Sequence, residues 1–426
     1  MAFNETFHIN KRQKLSDKFE KGSIAIIHSN DEMPRNGDQY FPFRQNSDLY
    51  YLTGIEQEKS ILLLAPDHPV KKNREVLFIL KPDKRLEIYF GHKLSGQEAT
   101  AISGVQNVQY LEAFESILDE ALSYTDKIYF NSNDYPKFSP DTVNRDTRFA
   151  NELKKKYPAH QPLRLQAYLA GLRLIKQQEE IDAIKKACDI TATAFQRVLK
   201  FTRPGVIEYQ VEAEILHTFL SEGARGPAYP TIVASGINAC TLHYVEKKSE
   251  CRDAELLLMD FGAEYLNYAA DCSRTIPVNG KFTARQKEYY NSVLHVQNEI
   301  VKHFVVGNTI ENINREVISL MEKELLKLGL ITEEEIKKAG SPKPLVLKYL
   351  VHGIAHFIGL DVHDVGSRFI ELKPGMVLTC EPGLYIPEEK TGIRIENDIL
   401  ITEEGPVNLM ENIPVEIEEI EGIMNS

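Results

Sequence analysis

Apolar and polar positions along the chain follow two patterns that change near residue 165. Before it, short apolar runs at residues 23–27, 60–65, 75–80 and 127–130 mix with helical stretches such as 113–124, a pattern that predicts a small α/β domain. After it, Ile181, Ile184, Cys188, Phe195 and Leu199 recur on one face of a long helix. Arg203, Pro204 and Gly205 stop that helix, and a second one carries Val211, Ile215 and Phe219 four apart until Gly223. Strands follow over 229–235, then a hairpin from about 255 through a turn near Tyr265 to Pro277. The same order then recurs: a helix over 284–304, a break at Gly307, a helix over 310–328, a histidine-bearing stretch and a hairpin over 376–402. This repetition predicts an internal duplication.

At 426 residues the chain exceeds what one hydrophobic core supports, and two domains, 1–170 and 171–426, are expected. With 42% apolar and 26% charged residues, extensive disorder is excluded. A net charge of −12 with scattered lysines and arginines excludes attraction to phosphate backbones, so no nucleic-acid partner is expected. No apolar run approaches the ~18 residues needed to span a bilayer, and the first residues lack a signal-peptide core. The expectation is therefore no membrane association and a cytoplasmic protein. Cys188, Cys240, Cys251, Cys272 and Cys380, odd in number and without metal-type spacing, read as reduced thiols.

The polar residues of the two hairpins carry the chemistry. Asp260 ends the apolar run LLLM, where an ionised carboxylate is costly to bury without a partner. Asp260 and Asp271 are an odd number of residues apart, so a loop centred on Tyr265 and Leu266 would set them directly opposite on one face. At ~4 Å such a pair repels by roughly 4 kcal/mol at an effective dielectric of 20, which invites a cation between them. Glu381 and Glu396, again an odd separation around Glu388 and Glu389, predict a second facing pair. Taken singly, an acidic residue in a strand is usually solvated; that reading covers Glu396 but fits Asp260 and Glu381 poorly. Between the hairpins, His352, His356 and His363 crowd into a dozen positions. Gly353 and Gly359 argue there for a loop or extended segment rather than a zinc-protease helix. An oxygen-dominated donor set of this kind suits Mn²⁺, Co²⁺ or Mg²⁺ better than a thiolate-rich zinc site.

These stretches, MDFGAEYLNYAADCSRTIPVNGKF, HGIAHFIGLDVHDVG, LTCEPGLYI and GIRIENDILIT, together with TIVASGINACTLHY and FPFRQNSDLYYLTG, resemble the aminopeptidase P branch of the pita-bread metallopeptidases over nearly the whole chain. The resemblance implies an N-terminal α/β domain of the creatinase/aminopeptidase P type that shapes the substrate cleft and supports oligomers. It also implies an α+β pita-bread catalytic domain with internal pseudo-two-fold duplication. The implied reaction removes an N-terminal residue that precedes proline. Two divalent cations, Mn²⁺ first with Co²⁺ or Zn²⁺ as alternatives, would share a hydroxide. Asp260 and Asp271 would hold one cation and His356 and Glu381 the other, with Asp271 and Glu396 bridging. Glu381 is similar to the family's general base. His243 and His363 resemble histidines that steady the reacting carbonyl, His352 one beside the proline pocket, and Arg394 and Tyr385 groups that orient ligands. A homodimer or homotetramer is implied as well. Ser273, Ala355 and Lys247-Lys248 depart from the family pattern without removing a ligand position. The rival readings are an Xaa-Pro dipeptidase (prolidase), a metal-free creatinase-like hydrolase and a non-catalytic binding protein on the same fold.

Overall fold

In the computed structural model, which describes residues 3–133 and 142–426, the early apolar runs form one mixed sheet. Its strands are β1 (Ser23–His28), β2 (Ile61–Leu64), β3 (Glu75–Ile79), β4 (Val108–Tyr110), β5 (Lys127–Phe130) and β6 (Gln161–Arg164), in spatial order β4-β3-β2-β1-β5-β6. Every residue of β1 is buried, as its unbroken apolar sequence requires of a central strand. β1 runs antiparallel to β2 and parallel to β5. Helix α1 (Glu5–Ser16) brings in the buried Arg12, whose guanidinium donates to the carbonyls of Leu52 and Ser103, both at 2.8 Å. Helix α2 (Phe114–Leu122) presses Phe114, Leu118 and Leu122 onto Ile24, Ile26, Leu63 and Phe78. Each such side chain contributes about 1.5–3 kcal/mol on burial. This first compact unit ends at Leu172.

The second unit, Arg173–Ser426, opens with the predicted helix pair, α3 (Gln178–Phe201) and α4 (Glu208–Ser221). Between them Gly205 adopts φ +92°, which an L side chain resists. The strands β7 (Ile232–Ser235), β8 (Leu256–Asp260), β9 (Ala263–Tyr265), β10 (Tyr268–Ala269) and β11 (Ser273–Pro277) follow. They form a sheet ordered β7-β8-β11, from which β9 and β10 run on as a narrower ribbon. The pattern then repeats. Helices α5 (Ala284–Ile300) and α6 (Ile310–Lys327) precede β12 (Val377–Cys380), β13 (Gly383–Ile386), β14 (Thr391–Arg394), β15 (Asn397–Thr402) and β16 (Gly405–Asn408). Here the sheet is ordered β12-β15-β16, and β13 and β14 form the ribbon. Two short helices that periodicity missed, Glu333–Ala339 and Lys343–Tyr349, fill the stretch before the histidines. The histidine stretch itself is extended and irregular, with one bridge from Phe357 to Leu378. No helix among the described residues is long and apolar enough to cross a membrane.

Hairpin register corrects one expectation. The first turn lies at Leu266 and Asn267, both left-handed (φ 49° and 63°), with Tyr265 paired to Tyr268. Such a turn matches the twist of the flanking strands, and asparagine tolerates the left-handed region. Asp260 is consequently opposite Ser273, not Asp271. Carried past the Phe261-to-Cys272 hydrogen bond, the same register sets Asp271 against Gly262, two residues on and on the same face. The second hairpin keeps the predicted register: Cys380 pairs with Asn397 and Gly383 with Arg394, so Glu381 faces Glu396. The strand expected over 229–235 starts only at Ile232, which leaves Tyr229 outside it.

Candidate metal centre

The acidic residues sit where each hairpin passes from wide sheet to narrow ribbon, at the ends of the apolar runs. On β14 and β15 the period of two puts Arg394, Glu396 and Asp398 on one face. Gly383, across from Arg394, and Gly262, across from Asp271, supply no side chain; a Cβ on Gly262 would lie 1.7 Å from the Ala270 carbonyl oxygen. Asp271, His356 and Glu396 bring ligand atoms within 4.8 Å of one another. His356 Nε2 is 3.3 Å from Asp271 and 3.8 Å from Glu381. Asp260 joins through Tyr229, whose hydroxyl lies 2.6 Å from Asp260 Oδ1 and 2.5 Å from Asp271 Oδ1.

Arg394 ties several of these groups together. Its guanidinium donates to Asp260 Oδ2 at 2.6 Å, to the Tyr385 hydroxyl at 2.8 Å and to Ser273 Oγ at 2.7 Å. Ser273 Oγ in turn donates to Glu396 at 2.7 Å. Tyr385 is 2.8 Å from His352 Nε2, and His352 Nδ1 is 3.6 Å from Glu381. The His363 ring stands edge-on to His356 with centroids 4.5 Å apart. His243 lies apart from these contacts, exposed in the loop after β7. The sequence-predicted residues other than His243 thus form one connected set. Sequence reasoning missed Tyr229, which it placed in a strand, and Asp398, a buried carboxylate that accepts from the Asp271 amide at 3.1 Å. The period-two alternation from Arg394 through Glu396 to Asp398 was a usable signal for the latter.

Burial sets the electrostatics. Burial raises Asp260 above the usual carboxylate range despite the pull of Arg394, and lifts Glu381 to about 7 against His356 and Arg394. Glu396 rises well above its ordinary value, through burial and then the charges of Asp271 and Glu381. Burial pulls His356 down, but Asp271, by hydrogen bond and charge, and Glu381 behind it hold the imidazole at about 9. His352, buried and close to Arg394, falls to about 4. Four carboxylates gather near a single arginine, an excess of like charge that divalent cations would relieve. Four carboxylates and one imidazole fit hard or borderline divalent ions.

Comparison with known proteins matches this architecture. The model of metallopeptidase family M24 matches residues 182–403, and that of the aminopeptidase P N-terminal domain matches residues 8–129. The Xaa-Pro aminopeptidase of Escherichia coli K12 is 38% identical over 431 residues, covering 97% of this chain and 96% of that protein. A putative aminopeptidase P from Bacillus anthracis superposes with a TM-score of 0.91 at 34% identity, covering 99% of both chains. E. coli aminopeptidase P with the inhibitor Pro-Leu superposes at 0.90 with 35% identity, covering 100% of this chain and 99% of that one. An α/β unit followed by a duplicated unit, an acidic centre of this composition and similarity over 97% of the chain agree: the chain belongs to metallopeptidase family M24 and, within it, to the Xaa-Pro aminopeptidases, or aminopeptidase P family.

Proposed function

We propose that the chain is a two-cation aminopeptidase that removes the N-terminal residue of peptides carrying proline in second position. The observation that carries this reading is the convergence of Asp260, Asp271, Glu381 and Glu396 with His356 around one buried arginine. Those five residues would hold the cations, Mn²⁺ by donor type with Co²⁺ or Zn²⁺ as alternatives. Bound there, two cations would supply activated water at neutral pH and polarise the scissile carbonyl. The remaining work falls to the chain. Glu381 accepts no hydrogen bond among the described residues; its nearest partners are His352 at 3.6 Å and His356 at 3.8 Å. It is therefore the carboxylate free to take a proton from water and return it to the leaving proline nitrogen. His363 and His243 present donors to the reacting oxygen. Arg394 holds Asp260 and Tyr385 in place, and Tyr385 fixes the His352 ring on the proline side.

Assembly into a homodimer or homotetramer is supported by the helix Lys84–Phe90, where Ile88, Tyr89 and Phe90 are 83%, 81% and 71% exposed. A cytoplasmic location completes the reading. The test compares Arg-Pro-Pro-Gly-Phe with Ala-Pro after Mn²⁺ reconstitution. Release of arginine from the pentapeptide is expected; cleavage of Ala-Pro alone would make the chain a dipeptidase, and cleavage of neither would overturn the function. Metal analysis should find two divalent ions per chain, and fewer than one, with activity surviving chelation, would exclude the two-cation reading.

A further inference from the structure

Glu208 is the first residue of α4, completely buried, and outside the metal centre. A buried carboxylate is expensive unless it is fully hydrogen-bonded. Oε1 accepts from the Ser235 amide at 2.7 Å, Ser235 Oγ at 2.8 Å and Asn238 Nδ2 at 2.9 Å. Oε2 accepts from the Tyr244 hydroxyl at 2.9 Å and the Ser249 amide at 3.1 Å. None of these donors belongs to a cationic side chain. Two are backbone N–H groups and a third is an amide N–H, all of which can only donate, so these contacts fix the carboxylate's orientation.

The donors come from both sides of one loop. Ser235 ends β7, which pairs with β8 from Ser235–Leu257 to Ile232–Asp260; Ser249 closes the loop, and Tyr244 adjoins His243 at its exposed middle. Residues 241–248 have no ladder of their own. The α4 end ties down the same return segment, with Glu208 N donating to Ser249 O and Tyr209 N to Lys247 O, both at 3.0 Å. Asn238 Nδ2 also reaches Ser249 Oγ at 2.9 Å, closing the loop on itself.

We infer that Glu208 is a positioning residue for His243: its buried carboxylate clamps both arms of the 235–249 loop and so holds the imidazole at a fixed place relative to the β8 hairpin. This rests on the proposed substrate-facing role of His243. A double-mutant cycle and a structural readout separate the two claims. Tyr244→Phe removes one donor while keeping the ring, and should lower kcat/KM on a proline-second peptide about fivefold. In a His243→Ala background the same change should matter less than about twofold, because the clamp acts through the deleted imidazole. Independently, Glu208→Gln sets an amide donor against backbone donors and should speed tryptic nicking at Lys247-Lys248 about tenfold, with metal content retained. Unchanged nicking would overturn the clamp. Multiplicative effects of Tyr244→Phe and His243→Ala would overturn action through His243. Full kcat/KM in His243→Ala would remove the role of His243 and the inference with it, whereas faster nicking in a chain that cleaves no proline-second peptide would refute the proposed function and leave the clamp standing.

Discussion

The two acidic hairpins share a plan and differ in how their charges are compensated. In the first, Asp260 and Asp271 are offset by two residues and tied by the Tyr229 hydroxyl, and Arg394 reaches across from the other half to pair with Asp260. In the second, Glu381 and Glu396 face each other; Glu396 accepts from Ser273, while Glu381 accepts no hydrogen bond among the described residues and lies 3.6 and 3.8 Å from two histidines. The first pair is thus held by groups within the fold, and the second leaves one carboxylate unengaged. A carboxylate used only to bind needs no freedom, whereas one that carries protons needs an oxygen with no permanent partner. On the function proposed above, the difference would leave Asp260 and Asp271 to binding alone and give Glu381 proton transfer besides binding.

The largest test of that contrast is a pair of substitutions. Glu381→Ala should cut kcat by about 10²–10⁴-fold, the range for loss of a general base. Asp271→Ala should abolish turnover together with divalent metal stoichiometry, measured by elemental analysis of the reconstituted protein. Near-native rates in Asp271→Ala would refute the site. Next, the glycines opposite the functional side chains should differ. Gly262→Ala drives a Cβ into backbone at Ala270 and should cost upwards of about 3 kcal/mol in urea unfolding. Gly383→Ala meets chiefly the Tyr385 ring end, 2.8 Å from its hydroxyl oxygen, and should cost only about 1–2 kcal/mol. Equal costs would show that the two breaks are not built differently.

A further effect is a pH dependence confined to the cation-stripped protein. His356, held at about 9 against 6.5 unfolded, binds its proton more tightly when folded. Its contribution is fully present below pH 6.5 and is lost as pH rises through 9. Glu381, raised from 4.5 to about 7, acts in the same direction at lower pH. Stripped protein should therefore lose about 2–3 kcal/mol between pH 6.5 and 9. Cation-loaded protein should stay level there, since metal replaces the proton. Calorimetry of both forms across that range measures it, and parallel curves would count against metal binding at His356.

Much of this design was legible in the sequence because it rests on short-range periodicity. The apolar runs at 23–27 and 127–130, the faces of α3 and α4 and the repeated helix–hairpin order follow from spacings of two and 3.6 residues. Odd separations placed each acidic pair on one face, and that inference survived a slip of the first turn because a shift from facing to diagonal partners leaves the face unchanged. The exact turn does not follow from the alternation of apolar and polar residues; its local signal is Asn267, which tolerates the left-handed conformation found there.

Tertiary structure alone decided which groups meet across long stretches of chain. Arg394 reaches Asp260 from 134 residues away, Ser273 reaches Glu396 from 123, and Tyr229 lies 42 residues before Asp271. No periodicity extends over such distances. These contacts exist because two half-domains pack so that buried polar atoms of one must find partners in the other, and that requirement is satisfied by the folded whole rather than by any segment of the sequence.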